Sequence, residues 1–419
     1  MADFCAAGMK GAGKKPDTLE KRTAFPYNDK VSWKEQNGRT FQLLEQFSFL
    51  IRGFQAVTWQ MAVMWAVGGL LIWLAVKKDF EPSLLIPMGF GAILVNLPFS
   101  GVLGNNGIVQ WLYHVGIGAS EAMPLLLFVG IGAMIDFGPL LSNPRMFLFG
   151  GAAQFGIFFT VLMAVLLGFP LKDAMSAGVI GAADGPTSIL VAQTLKSNYL
   201  GAITVAAYSY MALVPVIQPF AIKLVTTKKE RRIRMPYRPE TVSKTTKILF
   251  PIIVTVVAGL IAPDSVALVG FLMFGNLIRE CGKLDSLCKT AEGPLTNIIT
   301  IFLGITIAFQ MQAEKFVRWD TLLIMALGLV AFVFDSIGGV LFAKLMNLFL
   351  PEGKKFNPMI GAAGISAFPM SARVIQKMGL EEDNQNHLLM HAVGANVAGQ
   401  IGSVVAGGIL LTLAKTMIH

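Results

Sequence analysis

Charge is what this sequence has least of: Asp, Glu, Lys and Arg make up 14% of 419 residues, against 54% hydrophobic ones. A soluble domain of this length needs about a quarter of its residues charged, so that class is excluded. Cysteine is scarce too. Cys5, Cys281 and Cys288 form neither an even disulfide framework nor a metal-ligand spacing. His387 and His391 stand one helical turn apart, as in zinc metalloproteases, but Leu388 occupies the place where that motif requires glutamate. The N-terminus, "MADFCAAGMKGAGKKPDTLEKR", carries charge with no apolar core behind it and so does not read as a cleaved signal peptide.

What the chain has in abundance is apolar runs. A helix needs about 20 apolar residues to cross the hydrocarbon of a bilayer. Such runs fall at 57–76, 83–98, 121–141, 146–169, 173–195, 200–222, 247–262, 264–278, 295–311, 321–347, 357–378 and 386–415. Several are short or interrupted by Gly and Pro. The expectation is an all-α polytopic membrane protein of about 10–12 transmembrane or broken segments. Residues 1–56 read as a polar, basic N-terminal extension that ends in an interfacial segment, 57–222 as a first membrane repeat, 223–247 as a loop, and 248–419 as a second repeat.

That loop holds nine Lys/Arg against two Glu, a net +7 of the chain's +9. Positive charge of this kind places the loop in the cytoplasm, where it suits either acidic lipid or a docking partner. The rest of the chain carries almost no net charge and no nucleic-acid motif, so nucleic acid is not expected as a partner. Short words recur across the loop in the same order: "IGAAD" at 180–184 and "IGAAG" at 360–364, "GF" at 89–90 and 270–271, "NL" at 96–97 and 276–277, "FVGI" at 128–131 and "FLGI" at 302–305. An internal repeat with Gly/Pro-interrupted segments at matching places points to a transport site near the membrane midplane.

The stretch "GVIGAADGPTSILVAQTL" (178–195) puts an acid, a glycine and a proline into one such segment. Pro186 lacks an N–H and disfavours helix at Gly185, so a break is expected around Asp184. Freed carbonyls, the Asp184 carboxylate and the hydroxyls of Thr187 and Ser188 form an all-oxygen set suited to a hard cation such as Na⁺. The alternative is a kinked helix whose acid pairs with a basic residue elsewhere. In the second half, "FNPMIGAAGISAFPMSARVIQKM" (356–378) offers Asn357, Gly361 and Ser366 beside a second break at Pro369, and brings no acid. Arg373 follows, either meeting an anion or snorkelling to headgroups. Tyr208 and Tyr210 lie in an apolar span, and Asn396 in a glycine-rich one. Asp136 is expected near a membrane edge, and Asp335 has no assigned role.

The segments "MIDFGPLLSNPR", "GAADGPTSI", "AAYSYMALVPVIQP", "NPMIGAAGISAFPMSARV" and "MHAVGANVAGQIGS" resemble the β subunit of the sodium-pumping, biotin-dependent decarboxylases that act on oxaloacetate, methylmalonyl-CoA or glutaconyl-CoA. The resemblance spans residues 58–415 and leaves the N-terminal extension without a counterpart. It implies that the chain decarboxylates carboxybiotin, carried by a biotinylated carboxyltransferase α subunit or biotin carrier protein, with consumption of a proton and export of Na⁺. It also implies a small membrane γ subunit, in some members a δ, a homotrimer with a core moving against a scaffold, and the bacterial cytoplasmic membrane.

By resemblance, Asp184, Asn357, Gly361, Ser366 and Asn396 serve Na⁺, Asp184, Tyr210 and Ser366 take part in the catalytic proton handling, and Arg373 receives carboxybiotin. Ala395 and Gln400 depart mildly from the family pattern, where proline and an apolar residue are commoner. Two stretches, "FDSIGGVLFAK" and "ISAFPMSARVIQKM", lean toward the acyl-CoA members, although the α subunit selects the substrate. Read without the resemblance, the same features suit a Na⁺-coupled secondary transporter of a small organic anion.

Overall fold

The computed structural model describes residues 52–78, 82–104, 107–119, 122–236 and 242–418. The chain divides into two units, Met1–Ala56 and Val57–His419. Of the first, only residues 52–56 are described, so the expected N-terminal extension otherwise lies outside the described residues.

The second unit is all helix among the described residues, without a strand. Its main helices are α1 (Trp59–Lys78), α2 (Pro82–Val95), α3 (Ala122–Met134), α4 (Met146–Leu166), α5 (Leu171–Gly178), α6 (Gly185–Thr194) and α7 (Leu200–Val225). The basic connector follows, and then α8 (Lys244–Ile261), α9 (Val266–Cys281), α10 (Thr296–Ile307), α11 (Trp319–Leu348), α12 (Met370–Glu382) and α13 (Leu389–Ile418). Helix is the form an apolar chain adopts in lipid, because it satisfies each backbone N–H and C=O within the segment.

Seven helices are long and apolar enough to cross a membrane, and they coincide with seven of the twelve apolar runs. The other five runs become short helices, such as the 14-residue α2, or helices broken in the middle, as at α5/α6 and before α12. Burial separates the roles of the long ones. Only 11% of the apolar stretch of α8 is buried, so that helix lies on the outside of the unit. The figure for α13 is 67%, which makes it the central post of the unit. The largest buried cluster gathers Phe149, Phe332, Met359, Ile360, Ile365 and Val404 around the second break.

Packing crosses between the halves of the chain. α3 lies on α9, while α10 lies on α2, so each half contributes a helix to the other's pair. Both contacts are close because glycine removes the side chain at the crossing. A Cβ at Gly304 of α10, for example, would fall 2.8 Å from the Pro87 Cβ of α2.

The connector is not merely a solvated ribbon. Thr227 and Glu230 form a capping box over the short helix Lys228–Arg231. Arg231, 6% exposed, then bonds Glu382 at 2.6 Å and the Thr226 carbonyl at 2.8 Å. Arg234 grips Asp383 with two bonds of 2.6 and 2.9 Å. The hydrogen-bonded guanidinium of Arg234 holds the Asp383 carboxyl below its usual range. Part of the loop's positive charge therefore clamps the end of α12. Residues 237–241 of the loop lie outside the described residues.

Candidate functional site

The first break is built by local conformation. α5 tightens into a 3₁₀ turn over Val179–Ala182, Ala183 takes a left-handed conformation at φ 52°, and Asp184 is extended. Asp184 then caps α6: its Oδ1 accepts from the Thr187 N–H at 3.3 Å, and its Oδ2 from the Thr187 hydroxyl at 2.8 Å. Pro186 lies in the first turn of α6, where a missing N–H costs nothing, so it opens the new helix as well as stopping the old one.

The second break begins after the short helix Met359–Ala362 and ends at Pro369, which follows a cis Phe368–Pro369 bond and precedes α12. Gln218, between Pro215 and Pro219 on α7, braces it by donating to the Ala362 carbonyl at 2.7 Å and meeting the Ser371 hydroxyl at 2.6 Å.

The two breaks touch. The Ser366 N–H donates to the Ala182 carbonyl at 3.0 Å. Ser403, on α13, donates its hydroxyl to Asp184 Oδ2 at 2.8 Å and is met in turn by the Ser366 hydroxyl. The Gln400 amide, one turn earlier on α13, donates to the Ser366 carbonyl. Asp184, Ser366 and Ser403 are 4%, 2% and 0% exposed, so this chain of oxygens is sealed inside the bundle. Asn396 donates to the Ile365 carbonyl at 2.6 Å, while its Oδ1, buried, has no partner among the described residues. Two hydroxyls and one N–H are a thin shell for a buried carboxylate, whose transfer from water costs several kcal/mol. A small monovalent cation matches the charge and the oxygen donors, and the orphaned Asn396 oxygen has the chemistry to join them.

The remaining expected residues lie elsewhere in the bundle. Asn357 donates to the Arg231 and Ile233 carbonyls at 2.8 and 2.9 Å and accepts from the Met359 N–H, which ties the start of the second break to the connector. Gly361 crosses Gly339 of α11 so closely that a Cβ on either would strike the other's carbonyl oxygen. Tyr210 donates to the Met325 carbonyl at 2.7 Å. It is Tyr208 whose ring lies against Gly185, next to Asp184, with its hydroxyl buried and unpartnered among the described residues. Arg373 is exposed on α12 and lines a cleft of about 500 Å³ with Gln376, Lys377 and Leu389. Asp136, with its side chain 47% exposed, meets Lys247 at 3.4 Å.

Asp184 is not the only acid here. Asp335 on α11 is fully buried and accepts from the Ile157 N–H at 3.1 Å, while a Cβ at Gly181 of the 3₁₀ turn would fall 2.5 Å from its Oδ2. The view of one carboxylate at the breaks therefore needs correction: two border the same turn. Sequence reasoning also passed over Ser403 and Gln218. Gln400 did carry a signal, as a polar departure in a glycine-rich helix, but its partner was not visible from the sequence. Among the described residues no group of three His, Cys, Asp or Glu is placed to hold a metal ion.

These features define a multi-pass, all-helical membrane protein with two discontinuous helices joined through buried hydroxyls. The profile of the family described as "Na+-transporting oxaloacetate decarboxylase beta subunit" matches residues 60–414, and the chain belongs to that family. It is 49% identical to glutaconyl-CoA decarboxylase subunit beta of Acidaminococcus fermentans over 361 residues, 86% of this chain and 95% of that protein. It is 46% identical to methylmalonyl-CoA decarboxylase subunit beta of Propionigenium modestum over 389 residues, 86% and 96% of the two chains. Its identity to the oxaloacetate decarboxylase beta chain of Haemophilus ducreyi is 44% over 428 residues, 87% and 98% of the two.

Proposed function

We propose that this chain decarboxylates carboxybiotin presented by a biotinylated carboxyltransferase or carrier protein and couples the reaction to Na⁺ export across the bacterial cytoplasmic membrane. A small membrane γ subunit and two further copies of the chain complete the assembly. The observation that carries the reading is the buried link Asp184–Ser403–Ser366, which ties one broken helix to the other through atoms that bind either a cation or a proton. The exchange of α3 and α10 between the halves supports the internal repeat on which such a site rests.

In the reaction the N–CO₂⁻ bond of carboxybiotin breaks, CO₂ leaves, and the ring nitrogen takes up one proton. Arg373, exposed in its cleft, is the group to meet the incoming carboxylate, and Lys377, one turn along α12, adds positive charge. The proton reaches the cleft from the buried hydroxyls. Na⁺ on Asp184 and a proton on the same oxygens exclude each other, so consumption of the proton governs when the ion can occupy the site. Moving one charge against 100 mV takes about 2.3 kcal/mol. Asn357 and Gly361 support the site by fixing the second break, Asn396 offers its free oxygen to the ion, Tyr208 flanks Asp184, and Tyr210 takes part in the proton handling. The family assignment displaces the reading as a secondary carrier of a small anion.

The test separates the two halves of the mechanism. In the assembled complex, Arg373→Ala should slow carboxybiotin turnover by roughly 30-fold or more, the loss expected when a charge-assisted bond is removed. The same variant should keep the higher melting temperature in NaCl over KCl at equal ionic strength that Na⁺ binding confers. Loss of both would place Arg373 in the ion site or the fold and overturn its assignment. Unchanged turnover would remove it from substrate binding.

A further inference from the structure

We propose that one anionic phospholipid binds along the last turns of α11, with its phosphate headgroup in a basic cleft and an acyl chain in the groove below. α11 has 30 residues, about 45 Å at 1.5 Å per residue, whereas the hydrocarbon layer is about 30 Å thick. Its end must therefore stand among the headgroups. The basic connector packed there, through Lys344 to Glu230 at 3.0 Å, marks that end as the cytoplasmic one.

Two cavities meet on this end of the helix. One, of about 620 Å³, is apolar and is lined by Phe155, Phe158, Gly338, Leu341 and Leu345. The other, of about 680 Å³, is lined by Lys229, Arg232, Lys344, Leu345, Leu348 and Lys355. Leu345 belongs to both. Gly338, Leu341, Leu345 and Leu348 recur at spacings of three and four, so they form one stripe that leads from the groove into the cleft.

The charge of the cleft selects the occupant. Arg234 and Glu352 also line it, but Arg234 is held by Asp383 at 2.6 Å, and Glu230 is neutralised by Lys344. Arg232 uses its Nε on the Glu382 carbonyl at 3.0 Å. Lys229, Lys355 and the outer edge of Arg232 then outnumber Glu352. A single phosphodiester above an apolar slot satisfies both cavities, and basic pockets at the cytoplasmic ends of helices take anionic headgroups. A free phosphate would fill the cleft and leave the groove empty.

The experiment titrates the purified full-length chain in detergent with phosphatidylglycerol or phosphatidylcholine and counts bound lipid by native mass spectrometry. Phosphatidylglycerol should bind with about tenfold preference or more, and Lys229→Ala/Lys355→Ala should erase about tenfold of it. Gly151→Leu should weaken both lipids, because Gly151 lines the groove and a Cβ there meets nothing within 4 Å, so the added side chain fills space without disturbing the fold. Inorganic phosphate should not displace the lipid. Equal binding of the two lipids, or full preference in the lysine variant, would overturn the headgroup assignment. Unaltered binding in Gly151→Leu would overturn the acyl seat, and displacement by inorganic phosphate would assign the cleft to a free phosphate instead.

Discussion

Two carboxylates border the 3₁₀ turn at residues 179–182, and their surroundings differ. Asp184 receives three hydrogen bonds, two of them from hydroxyls, and stands where the breaks in both halves converge. Asp335 is held by backbone N–H groups alone, Ile157 at 3.1 Å on Oδ1 with Gly156 beside it, and its Oδ2 has no partner among the described residues. Hydroxyls rotate and both donate and accept, so the shell of Asp184 can re-form around a cation or a proton. A backbone N–H in a packed helix cannot turn away. Asp335 is thus built into the packing of α4, α11 and the turn, whereas Asp184 stands in a shell that can exchange its occupant.

The largest effect that would sharpen this contrast is expected from Asp184→Asn. Loss of the charge should cost Na⁺ affinity roughly 10²- to 10³-fold, the size of a broken buried ion pair, and Na⁺-dependent decarboxylation in the assembled complex should fall with it. Normal Na⁺ activation would end the distinction. Asp335 should respond to shape before charge. Asp335→Leu, which strands the Ile157 N–H and crowds Gly156 and Gly181, should destabilise the chain by about 1–3 kcal/mol, while Asp335→Asn should keep most of the stability and a half-saturating Na⁺ concentration close to the native one. Denaturation curves and Na⁺ titrations of both variants decide this, and loss of the Na⁺ response in Asp335→Asn would merge the two acids into one site. Within the Asp184 shell a smaller loss is expected from Ser403→Ala, which removes one hydroxyl. A drop of about tenfold in Na⁺ affinity is expected, the low end for one hydrogen bond to a charged group. The NaCl-specific melting shift would reveal it, and an unchanged shift would place Ser403 outside the ion shell.

Much of the fold was readable from local pattern. Twelve apolar runs led to an expectation of about 10–12 transmembrane or broken segments, and among the described residues seven of the runs became helices long enough to span, because in lipid the length of an apolar run sets the length of its helix. Asp184-Gly185-Pro186 announced the first break, since proline chemistry acts within a few residues. The site was readable in part. Asp184 and Ser366 do meet, yet only through Ser403, a serine inside "GQIGS" that nothing local distinguishes from a packing residue. Asn357 looked like a ligand because an amide near a break has that chemistry, and its engagement with the Arg231 and Ile233 carbonyls depends on where the connector docks.

The sequence by itself determined that this chain lives in a membrane, where its helices break, and that a carboxylate sits at one of the breaks. Those properties follow from hydropathy and backbone sterics, which are carried by neighbouring residues. Only the tertiary structure decided which oxygens face Asp184, that Asp335 borders the same turn, and that the basic loop is partly spent on Glu382 and Asp383. These depend on helix crossings between residues up to 219 positions apart, and a hydrogen bond acts over about 3 Å. Such a contact leaves no periodic trace in the chain on either side of it.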